Sequence, residues 1–290
     1  MKLGLLASGV LGHQALQHIH DRYELVFVCT DSRSDNIKDF AQKHDIPLFV
    51  GNPRNSRITR FIEDKEIDVL ASVNYLFLIE QDLIQLPSVI AFNIHGSLLP
   101  KYRGRTPHVW AIINSEKEVG ITAHLIDENC DAGDILCQIH IPIEEKDTGA
   151  SLLEKYTQRY PELLDRVFEQ IEGESLDTIP QDESKATYFG KRGPSDGKID
   201  WNWQRERVYN WIRAQAPPYP GAFSFYKGRK IIFESSQFSE DGFNYEQPNG
   251  TILKTDPLTV KTPNGALELT LANTEEAGGF KIGERFEYKN

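Results

Sequence analysis

The chain has 290 residues with 32 basic and 43 acidic side chains, a formal net charge of −11. A nucleic-acid binder needs a basic face for the phosphates, so this balance argues against such a partner. No run of about 18 apolar residues is present, and no membrane-spanning helix is expected. Three scattered cysteines fit neither a disulfide framework nor a zinc site. With an N-terminus typical of a buried strand rather than a signal peptide, these features predict a cytoplasmic protein without a metal.

The first 190 residues alternate short apolar runs with amphipathic stretches. The apolar runs predict strands over residues 3–6, 25–29, 69–73, 89–94, 120–126 and 135–141. The amphipathic stretches predict helices over residues 12–20, 35–43, 54–65, 80–85, 106–114 and 152–171, the last with a kink or break at Pro161. This alternation predicts an α/β fold, a Rossmann-like and mostly parallel sheet with helices on both faces. Ligands of such sheets bind at the carboxyl ends of the strands.

A second, smaller domain is predicted after a polar stretch rich in Gly, Pro, Asp and Ser at residues 173–200. One helix is expected there, followed by short strands, over residues 208–214, 222–225, 230–233, 251–253, 258–260 and 266–271. Asn249-Gly250 and Asn264-Gly265 are typical of type I′ hairpin turns. We therefore predict a catalytic domain over residues 1–190 and a β-rich, barrel-like domain over residues 191–290.

Two polar side chains stand at the end of the predicted strand 89–94. Asn93 and His95 are two residues apart, so in a strand both point to the same face. An amide can stabilise an oxyanion, and an imidazole can move a proton near neutral pH. The pair therefore suits acyl transfer, although it would serve equally to satisfy backbone groups at a strand end.

An acidic segment, residues 127–134, lies between two later predicted strands. A carboxylate from this segment beside His95 would favour the protonated imidazole. Because Asp and Gly are ordinary turn residues, a plain surface turn remains the alternative.

Together the two segments carry a recognisable pattern. Asn93, His95, residues 97–100 and Arg103-Gly104 give N-x-H-x-SLLP-x-x-RG, and Asp131 begins D-x-G-D. This pattern resembles the active-site signature of the folate-dependent formyltransferases. That family includes methionyl-tRNA, glycinamide ribonucleotide and sugar N-formyltransferases.

The resemblance implies a role for each matching residue. Asn93 would hold the oxyanion, His95 would be the general acid and base, and Asp131 would tune His95. The donor would be 10-formyltetrahydrofolate, with no metal required. The residues implied in binding this donor are Phe77, Leu78, Ile79, Ser97, Leu98, Leu99, Pro100, Arg105, Asp127, Glu128, Asn129, Cys130 and Asp131. For Phe77, Leu78 and Ile79, core packing is an equal alternative.

The acceptor amine is predicted from further similarities. Residues 196–201 and 216–223 resemble the second-domain entry that tRNA and bacterial sugar formyltransferases share. The acidic charge and a short, mixed-charge stretch at residues 31–44 disfavour tRNA, and residues 104–114 resemble enzymes acting on dTDP-amino sugars. We expect dTDP-4-amino-4,6-dideoxyglucose, then its 3-amino isomer, then methionyl-tRNA. Candidate substrate contacts are Ser8, Gly9, Tyr75, Trp110 and Tyr219. The resemblance also implies a homodimer, and formylated dideoxy sugars suggest bacterial surface polysaccharide such as O-antigen.

Two other kinds of function are alternatives. The turn at residues 7–12 follows the first strand and Asp31 ends the second, as in a nicotinamide-dependent oxidoreductase, but the turn has two glycines instead of three. A binding protein without catalysis would tolerate loss of Asn93, His95 or Asp131, and all three are present. Of the remaining histidines, His124 belongs to no motif.

Overall fold

The computed structural model describes residues 1–273 and 279–287. The chain forms two compact units. The first contains Met1–Gly104, Gly120–Ile141 and Lys155–Phe189. The second contains Arg105–Val119, Pro142–Glu154 and Gly190–Asn290. Each unit therefore draws on several separate stretches of the chain.

Strands and helices alternate through the first 190 residues. The strands are β1 Lys2–Ala7, β2 Glu24–Thr30, β3 Leu48–Val50, β4 Val69–Val73, β5 Ile90–His95, β6 Arg103–Gly104, β7 Glu118–Leu125, β8 Ile135–Pro142 and β9 Tyr188–Phe189. The helices are α1 Gly9–His20, α2 Asp35–Lys43, α3 Thr59–Ile62, α4 Gln81–Ile84, α5 Pro107–Ile113 and α6 Gly149–Glu172.

Seven of these strands form one sheet in the order β3-β2-β1-β4-β5-β7-β8. Strands β3, β2, β1, β4 and β5 run parallel, and β7 pairs with β5 antiparallel. The predicted Rossmann-like, mostly parallel sheet is thus confirmed. Strand order reverses between β1 and β4, where sheets of this kind open a crevice at their carboxyl edge.

Two predicted helices differ in extent. Only Thr59–Ile62 of the predicted helix 54–65 is helical, because Asn55 and Ser56 have φ values of 60° and 58°, outside the right-handed helix. By contrast, α6 continues through Pro161. Its buried side chains lie on both sides of the proline, from Leu152 to Ile171, so packing compensates for the hydrogen bond that proline cannot make.

The second unit is β-rich, as predicted. After helix α7, Arg205–Ala214, its strands form an antiparallel sheet in the order β10-β11-β14-β13-β12. The strands are β10 Ala222–Tyr226, β11 Arg229–Ser239, β12 Ile252–Thr255, β13 Leu258–Thr262 and β14 Gly265–Leu271. Arg285 bridges to Thr251 beside β12, and Glu287 bridges to Phe225 of β10. This segment therefore links the two edges of the sheet, as expected for a barrel-like domain.

The two Asn-Gly turns differ from the prediction. Thr262 pairs with Gly265, so the hairpin turn between β13 and β14 consists of Pro263 and Asn264. A type I′ turn needs positive φ, which proline cannot adopt, and that turn type is wrong here. Gly250 does have a positive φ of 82°, but its turn leads into β12 and does not join neighbouring strands.

The described part of the chain contains no helix whose length and apolar character would let it cross a membrane. Within residues 1–273 and 279–287, no group of three or more His, Cys, Asp or Glu side chains is arranged to hold a metal ion.

Phe286 is the aromatic centre of the bridged sheet. It is 1% exposed and stacks on Trp201, with ring centroids 5.4 Å apart. We expect Phe286→Ala to lower the free energy of unfolding of this unit by about 3–5 kcal/mol, because it removes a buried ring and leaves a cavity. Urea unfolding followed by tryptophan fluorescence measures this change. Tyr245→Ala, at an 83% exposed site, is the control, and an equal effect of both would contradict the packing role.

Candidate active site

Two neighbouring strands place four polar side chains side by side. In the antiparallel pairing of β5 and β7, Asn93 lies opposite His124 and His95 lies opposite Thr122. Side chains directly opposite in an antiparallel pair share one face of the sheet. Asn93 and His95 therefore do share a face, as predicted, and β7 adds His124 and Thr122 to it.

The His95 ring is hydrogen-bonded at one nitrogen and faces a carboxylate with the other. It is 7% exposed, and its Nε2 donates to the Tyr102 carbonyl oxygen at 2.8 Å. Its Nδ1 lies 3.5 Å from Asp131 Oδ1. That distance exceeds a normal hydrogen bond, so the Nδ1 side is where a reacting group can exchange a proton with the ring.

Asp131 is ionised beside this ring. Burial raises the pKa of its carboxyl, but the combined effect of His95, the Gly104 N–H, His124 and the Cys130 thiol outweighs burial and lowers the pKa below its usual value. Oδ2 accepts from the Gly104 N–H at 2.9 Å, which leaves Oδ1 directed to His95. The predicted carboxylate–imidazole pair is thus present in the fold.

His124 orients the Asn93 amide. Its Nδ1 donates to the Leu125 carbonyl oxygen at 2.8 Å, so in the neutral ring Nε2 is an acceptor. Asn93 Nδ2 donates to this Nε2 at 3.1 Å. Burial lowers the pKa of His124 to about 4, despite the opposing effect of Asp131, and the ring is neutral at pH 7. One N–H of Asn93 is therefore fixed, and the other can meet an oxyanion.

The loop after β5 is held against β7. Thr122 Oγ1 donates to the Ser97 carbonyl oxygen at 2.6 Å and accepts from the Leu99 N–H at 3.2 Å. Ser97 Oγ in turn donates to the Lys101 carbonyl oxygen at 2.6 Å. Residues 97–100, which the resemblance assigns to donor binding, thus start from the same strand end as Asn93 and His95.

Two further groups of candidates in the first unit follow β1 and β4. Ser8 and Gly9 follow β1 at the reversal of strand order, and Asn74 after β4 donates from Nδ2 to the Ser8 carbonyl oxygen at 2.9 Å. Tyr75 and Ile79 pack against a buried apolar cluster that includes Leu70 and Leu83, as the core-packing alternative predicts. Leu78, by contrast, is 59% exposed and available for contact with a ligand.

The loop from Asp127 to Cys130 is exposed. Asp127 Oδ1 accepts from the Asn129 N–H at 2.8 Å, and Glu128 Oε1 accepts from Gln81 Nε2 at 3.0 Å. These contacts form a surface turn that ends at Asp131. The segment is therefore a surface turn, and its last residue is also the carboxylate beside His95, so both alternatives stated for it hold.

Arg105, Trp110 and Tyr219 belong to the second unit. There Trp110 Nε1 donates to the Gly190 carbonyl oxygen at 3.2 Å, and the Tyr219 hydroxyl lies 2.7 Å from His108 Nε2. Arg105 is exposed. Their assignment to donor or substrate binding remains a prediction.

His124 is the main residue that the sequence prediction missed. It belongs to no motif, and its position opposite Asn93 follows only from the register of β5 and β7. Alternation within β7 places it on one face with Thr122, but that pattern alone does not identify a partner.

An amide donor, a neutral histidine that orients it, and an imidazole beside an ionised carboxylate form a site suited to acyl transfer. The comparisons agree with this class. The chain belongs to the formyl transferase family, whose sequence model matches residues 13–168, and the model of the formyl transferase C-terminal domain matches residues 192–282.

One similar protein is the bifunctional polymyxin resistance protein ArnA of Wigglesworthia glossinidia brevipalpis. It is 38% identical over 242 residues, which are 83% of this chain and 36% of that protein. The present chain thus spans about a third of the length of this curated relative.

Similar solved structures include three N-formyltransferases. WlaRD, a sugar 3N-formyl transferase in the presence of dTDP and 5-N-formyl-THF, has a TM-score of 0.74 and 20% identity, covering 94% of this chain and 98% of its own. The Helicobacter canadensis enzyme, with folinic acid and dTDP-3-aminofucose, gives 0.69 and 18%, covering 93% and 99%. A 4-N formyltransferase from Francisella tularensis gives 0.65 and 21%, covering 80% and 95%. These similarities establish a shared fold.

The depressed pKa of His124 makes stability depend on pH. Between its ordinary value of 6.5 and about 4, the unfolded chain binds more protons at this residue than the folded chain. Stability therefore falls as pH drops through this window, by about 3 kcal/mol from His124 alone. We expect His124→Phe to flatten the curve of unfolding free energy against pH by that amount.

Urea unfolding at a series of pH values between 7 and 4 measures the slope. Buried His108, whose pKa is also lowered to about 4, contributes equally in both proteins and cancels in the comparison. His140→Phe, at an exposed site on β8, is the control. A slope unchanged by His124→Phe would show that this ring is not held neutral.

Proposed function

We propose that this protein transfers a formyl group from 10-formyltetrahydrofolate to the amino group of a nucleotide-linked amino sugar. The observation that carries the proposal is the His95 ring between the Tyr102 carbonyl and Asp131, next to an Asn93 amide whose orientation His124 fixes. The printed names of the similar structures, which pair folate derivatives with dTDP or a dTDP-amino sugar, support the choice of substrates.

The chemistry follows from these positions. The unprotonated amine attacks the formyl carbon, a C–N bond forms, and the carbonyl oxygen becomes an oxyanion. The Asn93 N–H that His124 does not use stabilises this charge. His95 accepts the proton that the amine loses and delivers a proton to the leaving folate nitrogen as its C–N bond breaks. The products are a formamide on the sugar and tetrahydrofolate.

Asp131 stabilises the protonated state of His95 during this exchange. Because the pKa of Asp131 is lowered, the carboxylate stays charged at neutral pH and does not compete for the proton. This keeps the imidazole as the group that moves the proton, in line with the role that the resemblance implies.

For the donor, we propose binding by residues 77–79, residues 97–100, Arg105 and residues 127–131. The exposed apolar side chain of Leu78 suits a ring system, and the loop held by Thr122 supplies a fixed wall. For the acceptor, we propose contacts from Ser8, Gly9, Tyr75, Trp110 and Tyr219.

The acceptor that we propose first is dTDP-4-amino-4,6-dideoxyglucose, followed by the 3-amino isomer and then methionyl-tRNA. The net charge of −11 disfavours a polyanionic tRNA. The oxidoreductase alternative is weakened because Asp31, which would have to face a cofactor ribose, is 4% exposed and already accepts from the Arg33 N–H and the Ser34 hydroxyl, at 2.8 and 2.6 Å. We further propose a cytoplasmic homodimer acting in bacterial surface polysaccharide synthesis. Sedimentation over a range of concentrations tests the dimer.

A panel of acceptors tests the proposed reaction. With 10-formyltetrahydrofolate, we expect turnover of dTDP-4-amino-4,6-dideoxyglucose above that of the 3-amino isomer, a UDP-amino sugar and methionyl-tRNA. Formation of tetrahydrofolate and of the formamide are both measured. A preference for the 3-amino isomer would correct the position of the amine, turnover of only tRNA would contradict the charge argument, and turnover of none would overturn the proposed substrates.

Asp131→Asn tests the carboxylate. An asparagine here can still accept from the Gly104 N–H, but it removes the negative charge that faces His95 Nδ1. We expect kcat to fall on the order of 10⁴-fold with the fold retained, as when an amide replaces the carboxylate beside another catalytic histidine. Asp165→Asn, on α6, serves as the matched control. Wild-type turnover in Asp131→Asn would remove Asp131 from the mechanism.

A further inference from the structure

One side-chain amide outside the signature motifs connects the two loops that hold His95. Gln181 Nε2 donates to the carbonyl oxygens of Asp131 at 2.9 Å and Gly133 at 2.7 Å. Its Oε1 accepts from Arg103 Nε at 3.2 Å and Nη2 at 2.7 Å. Both hydrogens of the amide nitrogen and both acceptor positions of the oxygen are therefore used.

Arg103 is a fixed anchor for this amide. It is 0% exposed, and its guanidinium donates to both oxygens of Glu183, at 2.6 and 3.0 Å. Hydrogen bonding to Glu183, together with that to the Tyr188 hydroxyl, outweighs burial and raises the pKa of Arg103. The backbone of Arg103 also donates to the Thr187 carbonyl oxygen at 2.9 Å. A buried and fully charged group in this setting leaves Gln181 little freedom to move.

The two linked loops carry the two groups that face the nitrogens of the His95 ring. Arg103 follows Tyr102, whose carbonyl accepts from Nε2, and the other loop carries Asp131 next to Nδ1. Asp131 has a φ of 55°, a left-handed conformation that needs support from its surroundings. The donors of Gln181 bind the carbonyls on this turn and supply that support.

Resting on the proposed formyl transfer, we propose that Gln181 is a positioning residue that holds the Asp131 carboxylate at His95. The chemistry of the position selects glutamine. It must offer two donors to carbonyl oxygens and one acceptor to a guanidinium, a combination that only a side-chain amide provides. Glutamate would direct a carboxylate at two carbonyls, and lysine would face a buried arginine.

Two variants test this role. Gln181→Leu removes all four hydrogen bonds, and Gln181→Glu keeps the shape and the acceptors for Arg103 but loses the donors to the Asp131 turn. We expect both to lower kcat about 10- to 100-fold, the scale of a small displacement of a catalytic group, with KM for both substrates changed less than about twofold. Gln170→Leu, at a half-buried glutamine whose amide donates to the Leu136 carbonyl, is the matched control.

A double-mutant cycle separates positioning from general support. If Gln181 acts through Asp131, adding Gln181→Leu to Asp131→Asn changes kcat less than about twofold, because the carboxylate it positions is already gone. An equal loss of kcat in both backgrounds would overturn the proposal. So would wild-type kcat in the single variants, or loss of the fold in both of them, since the residue would then be only structural.

A measurement without substrate keeps this test independent of the proposed reaction. NMR of ¹⁵N-histidine-labelled protein, with His95 assigned from a His95→Gln variant, reports the surroundings of the ring. We expect Gln181→Leu to move the His95 ring signals in the same direction as Asp131→Asn, while Gln170→Leu leaves them in place. Unmoved signals would overturn the positioning role, whereas moved signals without turnover of any amine would overturn the proposed function alone.

Discussion

The site depends on one constraint, the antiparallel register of β7 on β5 at the end of an otherwise parallel set of strands. This register places His124 opposite Asn93 and Thr122 opposite His95. A shift by one residue would turn both β7 side chains to the other face of the sheet. The Asn93 amide would then lose the acceptor that orients it, and the loop after β5 would lose the Thr122 hydroxyl. Backbone pairing thus sets the geometry that the side chains refine.

Electrostatics at this site separates three ionisable groups into distinct roles. Asp131 is kept charged, His124 is kept neutral with a pKa of about 4, and His95 lies between a carbonyl and a carboxylate. In a buried site, charge is tolerated where it is paired and hydrogen-bonded. Burial keeps His124 neutral, and its two nitrogens are engaged by the Leu125 carbonyl and the Asn93 amide, whereas His95 on the neighbouring strand faces the Asp131 carboxylate. One is suited to move a proton, and the other to orient a donor.

Much of the fold was accessible from the sequence because periodicity reports burial directly. The run at residues 69–73 is a fully buried strand, as an apolar run between turn signals predicts. The short strands β3, β6 and β9 were not predicted, because two or three residues are too few to show a hydrophobic period. The position of the turn at Pro263 and Asn264 was not predicted, because the pairing register of β13 and β14, rather than the Asn-Gly pair, sets where the chain reverses.

The candidate site likewise contains residues that a local sequence pattern predicts and residues that it does not. Asn93, His95 and Asp131 could be predicted because a strand places the first two on one face and a motif marks the third. His124, Arg103 and Gln181 could not be assigned roles, because the side-chain and loop partners described for them lie 31 to 85 residues away in the chain and meet them only through strand pairing and loop packing. Contacts of that range leave no local periodic signal in a single sequence.

The distribution of the chain between the two compact units limits where the protein can be truncated or recombined. Arg105–Val119 and Pro142–Glu154 belong with Gly190–Asn290, and α5 in the first of these segments packs against α7 in the last. A fragment ending at residue 189 would keep α5 but lose α7, so the side of α5 that packs against α7 would become exposed. Such exposed apolar surface favours aggregation. The last hundred residues therefore cannot be removed without exposing part of α5. A recombined gene joined at residue 190 would need an incoming segment with an apolar face that covers α5.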